Sequence, residues 1–124
     1  MNLYQEQIID HYKTPQNCGD LANANVAVVG NNPLCGDVIS IKLKIANGTL
    51  ERMRYLAQGC AISIASASLL SEAINGEKTS NIKELRLKDI INLLGIELGL
   101  SRVKCALLPL ETLLRGIDEY EARD

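Results

Sequence analysis

No tryptophan and no phenylalanine occur among the 124 residues, and tyrosine, present four times, is the sole aromatic type. A core of stacked large rings is thereby excluded; with 47% hydrophobic residues, the interior has to be built from Leu, Ile, Val and Ala. No apolar run approaches the roughly 20 residues that a helix needs to cross a bilayer. The first residues, MNLYQEQIIDHYK, lack the charged-then-apolar pattern of a secretory leader. Basic residues are in no excess: 13 Lys and Arg stand against 15 Asp and Glu, interleaved, for a net charge of −2. That balance carries no electrostatic footprint for nucleic acid or an anionic membrane. Absent too is any CxxC pair, which argues against a zinc ribbon or a thioredoxin-like redox site. With a single histidine, a Cys–His hydrolase would have to use His11 as its base, and nothing in the sequence supplies a group to orient it. The expectation is one domain, residues 1–124, in the cytoplasm, with neither nucleic acid nor a membrane as partner.

What is present begins with Leu3, Ile8, Ile9 and Tyr12 at roughly helical spacing, a short amphipathic helix over residues 2–13 that stops before Pro15. The Asn-, Gly- and Pro-rich stretch that follows reads as loop, with residues 26–29 as an edge strand. VISIKLKI, residues 38–45, alternates: Ile39, Ile41, Leu43 and Ile45 share one face, Ser40, Lys42 and Lys44 the other. Asn47-Gly48 marks a hairpin turn, and TLERMRYLAQG is the returning strand.

Beyond Gly59 the pattern changes to helix. Ile62, Ala65, Leu69 and Ala73 lie along one face of a helix that starts at Cys60 and ends at Asn75-Gly76. Residues 81–94 predict a second helix, and Arg102 to about Tyr120 a third, with Ser101 as its N-cap. Strands followed by helices predict an α+β fold, a small three-stranded antiparallel sheet with helices packed on one face.

The cysteines fall at the junctions of these elements. NPLCGD, residues 32–37, puts Cys35 and Asp37 on a tight, exposed loop, because Pro33 fixes its own backbone and restricts Asn32 while Gly36 is free to turn. Cys60 opens one helix, and Cys105 falls within the first turn or so of another, where free N–H groups and the helix dipole favour a thiolate. Three thiols and a carboxylate could meet at one end of the fold as a site for zinc or an iron–sulfur cluster. Spacing alone leaves the alternative open, since cysteines are also small buried hydrophobes.

LYQEQIIDHYKTPQN, NPLCGD, GCAISIASASLLSEAINGE and RVKCALLPLETLL, in this order and over nearly the whole chain, closely resemble the U-type iron–sulfur cluster assembly scaffolds, the IscU, SufU and NifU N-terminal family. The resemblance implies that Cys35, Cys60 and Cys105 are the three scaffold cysteines and Asp37 the nearby aspartate. Together they would hold a transient 2Fe–2S cluster, with zinc as the alternative occupant. It also implies a cysteine desulfurase as sulfur donor and apo iron–sulfur proteins as acceptors, and a scaffold in place of an enzyme. Three thiolates and one carboxylate hold soft iron less firmly than four thiolates, so the cluster stays transferable. Ala61, Ser63, Ala65 and Ser66, behind Cys60, read as helix core.

Two departures divide the family's branches. Where the IscU branch carries a histidine before the third cysteine, this chain has Lys104 in the string RVKCA, which is similar to the SufU branch. The lysine's charge would then lower the pKa of Cys105 or pair with Asp37. Lys104 therefore favours a second reading, a zinc-bound sulfurtransferase in which Cys105 accepts the sulfur. Yet Cys60 and Cys105 are only 45 positions apart, with little room for the insertion that SufU-like chains carry. The prolyl motif that the IscU branch offers to its dedicated chaperone is also absent, since residues 98–104 read LGLSRVK. His11 reads as structural, Cys18 as incidental, and a purely structural zinc domain is a further alternative.

Overall fold

The computed structural model describes residues 3–123. Helix α1 (Leu3–Lys13) leads through an irregular segment into strands β1 (Val26–Asn32), β2 (Asp37–Ala46) and β3 (Thr49–Gln58). Helices α2 (Ala61–Ile74), α3 (Thr79–Ile82), α4 (Leu87–Leu94) and α5 (Leu100–Glu121) follow. The strands form one antiparallel sheet in the order β1-β2-β3. Asn32 pairs with Asp37 around the turn Pro33–Gly36, and Ala46 pairs with Thr49 around Asn47-Gly48. Both residues of that second turn have positive φ, 54° and 73°, the mirror-image turn that matches the twist of a hairpin.

Alternation sets the sheet's inner face. Ile39, Ile41, Leu43 and Ile45 are buried as predicted, and Val26, Val28, Leu50, Met53 and Tyr55 join them. Buried side chains of this size contribute about 1.5–3 kcal/mol each. Tyr55 is the exception to an aliphatic interior, 1% exposed in its centre. Helix α5 lies on β1 and β2, and α2 on β3. The closeness of α5 depends on two glycines: a Cβ on Gly30 would stand 2.0 Å from Thr112 Oγ1, and one on Gly116 would stand 3.0 Å from a Val28 methyl. Within α5, Pro109 follows Cys105 by one turn.

Several expectations are corrected. Strand β1 runs on to Asn32, because Gly30, Asn31 and Asn32 pair with Ile39, Val38 and Asp37. The helix expected over 81–94 is broken: α3 ends at Ile82, and α4 begins after Arg86, whose backbone N–H donates to Asp89 Oδ2 at 2.8 Å. Helix α5 starts at Leu100 with Gly99 as N-cap, ahead of Ser101. In α2 the predicted stripe fails at Ala73, which is exposed, and at Ile62, which is half-buried. That helix touches β3, α1, α4 and α5, so it is buried on most of its circumference, including Ser63, Ser66, Ser68 and Ser71. Of the α1 residues, Ile8 is buried while Leu3 and Tyr12 are exposed. Among the described residues, no helix is long and apolar enough to cross a membrane.

Candidate metal centre

The turn after β1, the first residue of β2, the β3–α2 junction and the second turn of α5 converge at one end of the sheet. Cys35 sits on the first turn, whose amides at Cys35 and Gly36 both donate to the Asn32 carbonyl, at 3.1 and 2.9 Å. Gly36 supplies the positive φ of 73° that closes it. The Cys35 thiol is exposed.

Asp37 is not on the loop. It is the first residue of β2, paired with Asn32, and only 1% exposed. Its Oδ1 accepts the Cys60 backbone N–H at 3.0 Å, while Oδ2 is buried without a hydrogen-bond partner. The carboxylate fits because residue 59 has no side chain: a Cβ there would stand 2.1 Å from Asp37 Oδ1, and φ at Gly59 is +153°. A buried carboxylate oxygen with no donor is costly unless something satisfies it.

Cys105 supplies the third wall. Its sulfur lies 3.4 Å from that of Cys35 and 3.8 Å from the Ser101 carbonyl. Ligand atoms of Cys35, Asp37 and Cys105 all lie within 4.8 Å of one another, the spacing of donors around a single metal ion. The thiol of Cys60 borders this trio without joining it, interacting with Cys105 and, through charge, with Asp37. A thiophilic metal fits: two sulfurs converge with a buried carboxylate, one of whose oxygens has no hydrogen bond among the described residues, and a third sulfur adjoins them.

The two helix-borne thiols differ, which corrects the expectation that both favour the thiolate. Burial pushes the Cys105 thiol far above its ordinary value, and the neighbouring Asp37, Cys35 and Cys60 push it the same way. As the sixth residue of α5 and 2% exposed, Cys105 lies past the free N–H groups of the first turn. Cys60 is the N-cap of α2. Burial pushes its thiol up as well, but the Ser63 backbone N–H and the Ser63 hydroxyl, 3.7 Å from the sulfur, outweigh that and hold it below its ordinary value.

Lys104 does not pair with Asp37: it is exposed and forms no ion pair with the described residues. His11 is engaged elsewhere, its Nδ1 2.6 Å from Ser68 Oγ and its Nε2 3.6 Å from Glu72, joining α1 to α2. Cys18 is exposed, in a segment that bonds to the backbone of Tyr55 through Asn17 and Gly19. Three residues do more at the site than the sequence implies, where Gly59 marks only the change from strand to helix and Ser63 and Ser66 only helix core. Gly59 makes room for Asp37, Ser63 faces the Cys60 sulfur, and Ser66 donates to the Ala106 carbonyl at 2.7 Å, tying α2 to the cysteine turn of α5. The signal for Gly59 was its place directly before a cysteine.

The family model for the NifU-like N-terminal domain matches residues 3–124. The chain belongs to the NifU-like N-terminal family. Within that family it is 34% identical to the zinc-dependent sulfurtransferase SufU of Bacillus subtilis, over 96% of this chain and 92% of that one. It is 33% identical to the iron–sulfur cluster assembly scaffold protein IscU of Haemophilus influenzae, over 97% of both chains. The SufU alignment spans 136 positions, more than the 124 residues here, so that relative carries residues without counterpart in this chain. The crystal structure of an iron–sulfur cluster assembly scaffold protein for the SUF system from Fervidobacterium islandicum superposes with a TM-score of 0.77. It is 28% identical and covers 90% of this chain and 94% of that one. A NifU-like N-terminal structure from Brucella abortus, 17% identical, shares the fold with a TM-score of 0.83 over 98% and 96% of the two chains.

Proposed function

We propose that this NifU-like protein is a cytoplasmic scaffold that accepts sulfur from a cysteine desulfurase, assembles a labile 2Fe–2S cluster on Cys35, Cys60, Cys105 and Asp37, and passes it to apo-proteins. The observation that carries this reading is the buried Asp37 carboxylate, grouped with the sulfurs of Cys35 and Cys105 and with one oxygen that has no hydrogen bond among the described residues. The cluster is cargo, and the protein's part is to hold it loosely. One ligand is a hard carboxylate among soft thiolates, and the exposed Cys35 stands where a partner can reach it.

Sulfur enters in this reading at Cys35 and comes to rest on Cys105. The Cys35 thiolate attacks the outer sulfur of the desulfurase persulfide, expelling the desulfurase cysteine as thiolate. Cys105, whose thiol donates to Cys35 at 3.4 Å, then attacks that same sulfur and expels Cys35, which takes the Cys105 proton and leaves as the thiol. Each exchange forms one S–S bond and breaks one.

A zinc-dependent sulfurtransferase is the second reading, favoured by the likeness to SufU and by Lys104. Zinc would be held by the same four side chains and would mask the thiolates until a partner arrives. Metal and acid-labile sulfide in anaerobically purified protein, before and after incubation with a cysteine desulfurase, iron and cysteine, separate the two. Iron and sulfide in near-equal amounts, displacing any zinc, establish the scaffold. Retained zinc, with persulfide on a cysteine and no iron, establishes sulfur transfer.

A further inference from the structure

Among the described residues no helix covers the outer face of the sheet: the strand residues buried under α5 and α2 alternate with exposed or half-buried ones, and only Gly19 and Asp20 reach over to Arg54 and Lys42. On that open face Lys42 stands directly opposite Arg54, and Lys44 opposite Arg52. Like charges directly opposed across two strands destabilise a sheet. Lys42 bonds to Asp20 at 2.5 Å, but Lys44, Arg52 and Arg54 form no ion pair with the described residues, not even with Glu51 at the neighbouring bulge. In a chain of net charge −2 this is a local concentration of positive charge. Between it and the thiol end, on the same face, lie Val38 and Leu56, 40% and 57% exposed.

We propose that this face docks an acidic protein partner, with carboxylates on Lys44, Arg52 and Arg54 and apolar side chains over Val38 and Leu56. The patch runs along β2 and β3 to the end of the sheet where the exposed Cys35 lies, while Asp37 faces inward beneath it, so a protein seated there borders the thiol end. That last clause rests on the proposed function; the docking itself does not. A second copy of the chain would bring the same positive patch against itself across a two-fold axis. A nucleic acid would meet a net-negative chain whose compact basic cluster borders aliphatic side chains in place of aromatic ones.

The test uses a short glutamate-rich peptide with leucines at one end, followed by backbone amide shifts and titration. Shifts should map to residues 38–44 and 52–58, and binding should weaken steeply between about 0.05 and 0.3 M salt. Lys44→Glu, which turns a repulsive cross-strand pair into an attractive one, should keep or raise Tm while weakening the peptide about five- to tenfold. Arg52→Glu should do the same from the other strand. Failure of the peptide to bind, shifts mapping elsewhere, or affinity unchanged in both variants would overturn the proposal. So would tighter binding to an RNA duplex or to phosphatidylserine vesicles, or a dimer that Lys44→Glu alters. Iron and sulfide loading of the same samples is read separately: both variants should load like the wild type. A wild type that binds the peptide but loads neither iron nor sulfide would break the scaffold reading alone.

Discussion

The two ends of the sheet close in opposite ways. At the Asn47-Gly48 end, polar groups find protein partners. Leu50 donates to the Glu77 carbonyl at 2.9 Å, Gly76 to Leu50 at 2.8 Å and Thr79 to Gly48 at 2.9 Å, and Asn75 Oδ1 takes the Met53 amide at 2.6 Å. At the thiol end, Asp37 Oδ2 and Asn32 Nδ2 are buried with no partner, and three of the four cysteines sit around them. Unsatisfied buried groups cost stability, so the first end is built to stay shut and the second to receive something.

The strongest way to break this contrast is Gly59→Ala. Its Cβ cannot coexist with Asp37 where it stands, and the backbone there is strained for any side chain, so about 3 kcal/mol of stability should be lost. Chemical denaturation measures it; a loss under about 1 kcal/mol would mean that Asp37 moves aside freely. Next comes metal itself. Zinc at a hundredfold over its dissociation constant should add about 2.7 kcal/mol. Hydrogen exchange should slow at residues 33–38, 59–63 and 100–106 and stay unchanged at 46–50 and 75–79. Slowing at both ends alike would erase the distinction.

A matched pair of truncations is subtler. Asn75→Ala leaves the Met53 amide without its acceptor and should cost about 1–3 kcal/mol. Asp37→Ala in metal-free protein removes an acceptor for Cys60 but also an unpartnered buried oxygen, and should change stability by less than about 1 kcal/mol. Smallest is the alkaline limb. Burial, opposed in part by Ser68, pushes Tyr55 up to about 12, and Cys105 is raised as well. Both groups therefore favour the fold while neutral, so their contribution is complete below the unfolded values of about 9–10 and fades as pH rises through the folded ones. Tyr55→Phe should remove part of that fade and leave stability at pH 7 within about 1 kcal/mol; a wild-type melting curve flat from pH 8 to 11 would contradict it.

Much of the fold was readable because it is local. VISIKLKI carries its own period, Asn47-Gly48 its own turn, and Gly59-Cys60 the switch from strand to helix. Where partners outside the segment itself decide, the reading failed. Gly30-Asn31-Asn32 looks like loop and becomes strand because Ile39, Val38 and Asp37 pair with it. Ala73 is exposed because α2 is surrounded on its other sides. Element junctions suggested that Cys35, Cys60 and Cys105 could meet with Asp37, but separations of 25 and 45 positions carry no geometric signal, and family likeness turned that suggestion into an expectation. Asp37 was expected in the site but placed on an exposed loop, because its burial depends on an absent side chain at residue 59.

Pro109 gives the Cys105 turn a further property. Proline has no N–H, so the carbonyl of Cys105, four residues before it, lacks the donor that an ordinary helix would supply. The ladder is thus interrupted at the residue that bears the buried thiol. Beyond the proline Leu113 and Ile117 sit in the core, and before it Cys105, Ala106 and Leu108 are buried too; only the first turn, from Leu100 at 93% exposed, stands clear. Mechanically, the turn that carries Cys105 is held from outside its own helix: the bond that Pro109 removes is not replaced along α5, and Ser66 of α2 grips the next carbonyl, that of Ala106.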